Sequence, residues 1–198
     1  MPSVKGSRIG ADPTFSRWHR FFRDWRSPSV AEMAWWILSN KAGDHLLDNP
    51  HLGWARDAWI ATRYGTGVAA RAVRLSPKDP PDFEVEFWTG GVHRCEAVEV
   101  LRPGRKRGDE LWQGRAKPWL ADKPISFPEE GWIGYAEALA AVDAQIAKKA
   151  AKNYDERYVL VVYVNLGFIR NDKAFRTGLA ERFRAGHPKF RHLVFLYN

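Results

Sequence analysis

The sequence predicts an α/β fold, a mixed sheet flanked by helices with an N-terminal helical extension. Three observations carry that prediction. Tyr158 to Asn165 is an unbroken apolar, β-branched run, the pattern of a central strand covered on both faces. Phe83–Trp88 and Arg94–Leu101 flank Thr89-Gly90-Gly91-Val92, which reads as a hairpin. Helical periodicities lie before the hairpin, between it and the central strand, and after that strand.

The elements follow in order. Residues Met1–Pro13 have no periodicity and read as a flexible arm. From Thr14 to Trp25, Trp18, Phe21, Phe22 and Trp25 fall on one helical stripe, and Arg17, Arg20, Arg23 and Arg26 on another. That helix either packs on the domain with solvated arginines or tracks phosphates with Arg17 and Arg20. The arm and this helix, residues 1–28, form the extension; residues 29–198 form a single α/β domain. Ser29 and Glu32 fit a capping box opening a helix that runs to about Asn40. Pro50–Tyr64 reads as the next helix, with Leu52, Ala55, Trp59 and Ile60 inward and Gly65 and Gly67 ending it.

Val68–Leu75 is a candidate first strand, and Pro77–Pro81 a turn into the hairpin. Pro103–Pro128 is a long connection with basic residues from Arg105 to Lys123 and no predicted element; loops of that length are usually functional or mobile. Gly134–Asn153 is an Ala-rich helix with Leu139, Val142 and Ile146 on one face. Asn171–Arg184 is a helix capped by Asn171 or Asp172, and His192–Tyr197 a final strand.

The chain has 198 residues and is 45% hydrophobic, enough for one domain with a substantial core. Its net charge of +8 suits a polyanion, because Lys and Arg displace counterions from phosphates. A cationic surface that aids solubility is the plainer explanation. Cys95 is the only cysteine, which excludes an internal disulfide and a Cys-based zinc site. There is no secretory leader pattern, and no apolar run long enough for a bilayer, so no membrane role and a cytoplasmic location are expected. The six histidines show no metal-binding pair, and no phosphate loop or nucleophile elbow is present.

Candidate chemistry concentrates around the hairpin. Asp82 opens one strand and Glu96 lies on the next. Two carboxylates from adjacent strands suit a hard cation such as Mg²⁺ or Mn²⁺. Each also has a plainer explanation. Asp82 starts a strand after prolines, and Glu96 in a central strand can be satisfied by an arginine. Glu84 and Glu86 share a face with Asp82 and are either extra ligands or a solvated strand side. Arg102 and the cluster Arg105-Lys106-Arg107, directly after the second strand, are candidate phosphate contacts or a solvated charge run.

Pro81-Asp82 at the start of one strand, Glu96 in the next, and the order helix, three strands, helix, strand resemble the PD-(D/E)XK nuclease superfamily over about Ser29–Leu166. The resemblance implies a restriction-endonuclease-like αβββαβ core and metal-dependent phosphodiester hydrolysis, with DNA as the expected partner. It implies Asp82 and Glu96 as metal ligands and an assisting acid on the first core helix, here Glu32, which the capping box alone also explains. One position departs from the pattern. The superfamily's lysine two residues after the acid is Val98 here. Some members move that lysine to a neighbouring helix, and on the helical wheel Lys149 lies at the border of the inward stripe, while Lys148 points away. Lys149 is therefore the candidate catalytic lysine, or else a snorkelling side chain. A catalytically inactive relative that binds nucleic acid or a protein partner, and a structural or protein-interaction module, are the alternatives.

Overall fold

A computed structural model describes residues 13–42, 52–101, 133–152, 154, 157–166, 169 and 172–197. In chain order the elements are α1 (Pro13–Arg23), α2 (Pro28–Ala42), α3 (Gly53–Gly67), β1 (Ala72–Leu75), β2 (Phe83–Glu86), β3 (Val92–Val100), α4 (Tyr135–Ala150), β4 (Val159–Val164), α5 (Lys173–Ala185) and β5 (His192–Tyr197). The arm at 1–12 and the basic connection lie outside the described residues.

The five strands form one mixed sheet in the order β1-β2-β3-β4-β5. β1, β2 and β3 are an antiparallel meander. β4 joins β3 in parallel, and β5 joins β4 in parallel. β3 is thus the seam between the antiparallel and parallel halves. β4, the apolar run, is buried along its whole length.

Strand alternation sorts the side chains into two cores. Phe83, Val85, Cys95, Ala97, Val159, Val161 and Tyr163 face the layer holding Phe22 of α1, Ala31, Ala34 and Leu38 of α2, and Ala55, Ala58 and Ile60 of α3. Val98, Val100, Leu160, Val162, Val164 and Leu193 face the layer holding Ala138, Val142 and Ile146 of α4 and Phe175 and Leu179 of α5. Glu96 has the parity of Val98 and Val100, so it points into the α4–α5 side.

Three local readings change. Ser27, not Ser29, caps α2: its Oγ accepts the Val30 N–H at 3.4 Å. Pro28 occupies the first helical position, where a missing N–H costs nothing, so the cap falls one residue earlier and the capping box of Ser29 and Glu32 is not formed. Gly65 does not end α3; the helix continues through Gly67. A Cβ on Gly65 would overlap Val73 Cγ1, so the glycine lets α3 lie close against β1. β1 begins at Ala72, four residues later than the sequence suggests, because Ala69 takes a positive φ of 50° and the chain turns there.

On α1, Phe22 is buried in the first core with Phe15, Trp18 and Phe21 packed against it, while Arg17 and Arg20 are exposed. His19 stacks on Trp54 of α3 at 5.0 Å between ring centres. Asp172 caps α5, its Oδ1 accepting the Phe175 N–H at 2.7 Å. Among the described residues no helix is long and apolar enough to cross a membrane.

Candidate metal centre

The β2–β3 register pairs Phe83 with Cys95. Continued by one residue, it sets Asp82 opposite Glu96 on the same face of the sheet. The Asp82 N–H donates to the Cys95 carbonyl at 3.0 Å, extending the ladder to that point. The Asp82 side chain then reaches back, and its Oδ2 accepts the Ala97 N–H at 2.7 Å. A backbone clamp of this kind fixes the carboxylate before any ligand arrives.

Lys149 enters from the last turn of α4. Its Nζ donates to Glu96 Oε2 at 2.7 Å and to Asp82 Oδ2 at 3.2 Å. The Lys149 side chain is 13% exposed, Asp82 22% and Glu96 only 1%. Burial alone lowers the Lys149 pKa, but the charges of Asp82 and Glu96 outweigh it, and the ammonium is held above its ordinary value. The Tyr154 hydroxyl donates to the same Glu96 Oε2 at 2.9 Å. Burial first, and then the hydrogen bond and charge of Glu96, push its pKa up, so the phenol remains a donor.

The other Glu96 oxygen is different. Oε1 is buried and, among the described residues, has no hydrogen-bond partner. A buried carboxylate oxygen without a donor is costly. Asp79, exposed on the turn before β2, brings a third carboxylate. Asp79, Asp82 and Glu96 each offer an oxygen within 4.8 Å of the others. All three donors are hard oxygens, the set that Mg²⁺ or Mn²⁺ prefers, and one oxygen of Glu96 is left without a donor among the described residues. The residues fit a divalent hard cation.

Of the candidate residues read from the sequence, Asp82, Glu96 and Lys149 come together. Glu32 does not: it faces Arg63 of α3 across 4.0 Å and is outside the converging acidic group. Glu84 and Glu86 are not ligands in this arrangement. Glu84 is held by Arg74 at 2.5 Å and Arg94 at 3.8 Å, and Glu86 by Arg71 at 3.5 Å. Arg17 and Arg20 are exposed on α1. Arg102, Arg105, Lys106 and Arg107 lie outside the described residues.

Three neighbours escaped the sequence reading. Asp79 sits three residues before Asp82 in a proline-rich turn, and that proximity was its only signal. Tyr154 lies past the end of α4, where helical periodicity no longer assigns a face. Asp57 of α3 pairs with Arg56 at 3.0 Å. Burial raises the Asp57 pKa against the opposing pull of Arg56, and the negative charge of Asp82 adds to the rise. Asp57 thus feels the field of the centre from the helix that precedes β1. An acid in the second turn of a helix leading directly into the meander was the available clue.

No family model, curated protein or solved structure matches this chain.

Proposed function

We propose that the chain is a divergent metal-dependent nuclease-like protein that hydrolyses phosphodiester bonds in DNA. The observation that carries the reading is the Asp82–Glu96–Lys149 constellation with its orphaned Glu96 Oε1. The order of a helix, a three-strand meander, a helix and a parallel strand supports the finer assignment, a restriction-endonuclease-like core. Asp82 and Glu96, joined by Asp79, would hold Mg²⁺ or Mn²⁺. When bound, such a cation neutralises charge on a phosphodiester and acidifies a water molecule.

The protein's own groups supply the rest. Lys149 keeps its proton at neutral pH and projects three donors from a rigid helix end. One of them can orient a water or meet the charge that develops on a phosphate oxygen. The Ala97 N–H clamp stops Asp82 from rotating. Exposed Arg17 and Arg20, with a net charge of +8, favour contacts with a phosphate backbone. Val98 does not take the lysine's place; it is packed in the α4–α5 core, and Lys149 reaches the carboxylates from the helix instead.

The test uses purified full chain with plasmid DNA and Mg²⁺ or Mn²⁺, beside an Asp82→Ala/Glu96→Ala variant. Metal-dependent cleavage by the wild type alone is expected. Cleavage that persists in the double variant belongs to a contaminant and ends the proposal. One observation favours a second reading, a non-catalytic protein of the same fold that binds nucleic acid or a protein partner. Lys149 already bonds both carboxylates, so one of their negative charges is offset without metal. Salt-dependent DNA binding with no heat of metal binding selects that reading.

A further inference from the structure

We infer that Tyr154 is a positioning residue that decides which oxygen of Glu96 is offered to a cation; the inference rests on the metal-centre reading above. Glu96 is used asymmetrically. Among the described residues Oε2 takes two donors, Lys149 Nζ at 2.7 Å and the Tyr154 hydroxyl at 2.9 Å, while Oε1 takes none. A carboxylate held by one flexible lysine can swivel and exchange its oxygens. A second donor, from past the end of the helix and held by its own packing, closes that freedom.

The phenol can do this because its ring is packed in place. It meets Tyr158 edge-on at 5.3 Å and Phe190 at 6.1 Å between ring centres. Phe190 is itself buried, directly before β5. Tyr154 is thereby braced against the parallel half of the sheet, while Lys149 approaches from α4. The two donors converge on Oε2, one from the last turn of α4 and one from the segment just past it, and leave Oε1 without a donor among the described residues. The division of labour matches a general property of metal sites, in which a partner hydrogen-bonded to a ligand fixes its orientation without touching the ion.

The hydroxyl's contribution separates cleanly from the ring's. Tyr154→Phe keeps the aromatic packing and removes one donor. Mn²⁺ binding to the metal-free full chain is measured by calorimetry, and the thermal melts of both metal-free proteins are recorded. The expected result is one Mn²⁺ per chain in the wild type and an affinity about 10- to 100-fold weaker in Tyr154→Phe, the usual loss for such a partner. If wild type binds and the variant binds within twofold, this inference is overturned and the metal centre stands. A variant that is merely less stable, with unchanged Mn²⁺ affinity, overturns it in the same way and makes Tyr154 structural. If wild type binds no Mn²⁺, the metal reading itself falls and this inference with it. Should the variant not fold, wild-type protein carrying ring-¹³C tyrosine provides the readout. A tyrosine signal that moves on adding Mg²⁺, with the midpoint that calorimetry gives for Mg²⁺, supports the inference, and a set of unmoved signals refutes it.

Discussion

Replacing Lys149 with methionine removes a charge and keeps most of the stem, so it isolates what the ammonium does. Lys149 Nζ sits 2.7 Å from Glu96 and 3.2 Å from Asp82, and the Glu96 side chain is 1% exposed. At an effective dielectric of about 20, each such contact carries a gross attraction on the order of 5 kcal/mol, much of it offset by desolvation. What the variant loses is set by the group left behind. Among the described residues Glu96 then keeps only the Tyr154 hydroxyl, and stranding a buried partner costs about 3–5 kcal/mol. Urea denaturation of metal-free protein at pH 7 is the assay. The folded Lys149 pKa lies above the ordinary 10.5, so its stabilisation is complete below pH 10.5 and fades as pH rises through the higher folded value. The gap between wild type and Lys149→Met should therefore be constant near neutrality and shrink at strongly alkaline pH. Saturating Mn²⁺ should narrow it too, because the cation replaces the lost positive charge. A metal-free variant within about 1 kcal/mol of wild type would refute the claim that Lys149 neutralises a buried carboxylate.

Two further predictions concern the scaffold. Burial first, and then the positive charges of Arg191 and His192, lower the His93 pKa from the ordinary 6.5, and the ring nitrogen Nδ1 meets the Tyr64 hydroxyl at 3.0 Å. Its stabilisation is present above pH 6.5 and is lost as pH falls toward the lower folded value; His93→Gln should flatten the stability change between pH 7 and pH 5, and an unchanged slope would show that other groups carry it. Gly65→Ala should cost about 1–3 kcal/mol by overpacking α3 against Val73 while leaving Mn²⁺ affinity intact, with urea denaturation and calorimetry as the paired readouts.

What the sequence discloses follows from where its patterns are strong. The β-branched run at Val159–Val164 and the alternation around Gly90 need only short-range regularities, and both are strands in the fold. Lys149 could be placed because α4 is long and regular enough for a helical wheel to separate it from Lys148, which is exposed. The reasoning fails where a competing local rule wins or a pattern stops. At α2, the proline at the first helical position outranked the Ser29–Glu32 spacing, which removed Glu32 from its expected capping role. Asp79 and Tyr154 lie in irregular segments, where no periodicity tells which way a side chain points. Glu84 and Glu86 were on the right face of β2, but the arginines that hold them are Arg74 of β1, Arg71 just before it and Arg94 of β3, and that pairing exists only once the sheet has formed.

Glu96 also bears on how the sheet assembles. Neighbours on either side of it, Cys95 and Ala97, belong to one core, and Glu96 points to the other. If β3 paired one residue out of step, every side chain on it would change faces. The carboxylate would then enter the apolar layer packed by Phe83, Val85 and Val161, far from its ammonium and phenol, at a cost comparable to stranding any buried charge, about 3–5 kcal/mol. Uniformly apolar strands such as β4 carry no such penalty and could slide. A single acid at the seam of the sheet thus acts as an alignment key, rejecting misregistered pairings before any ligand is present.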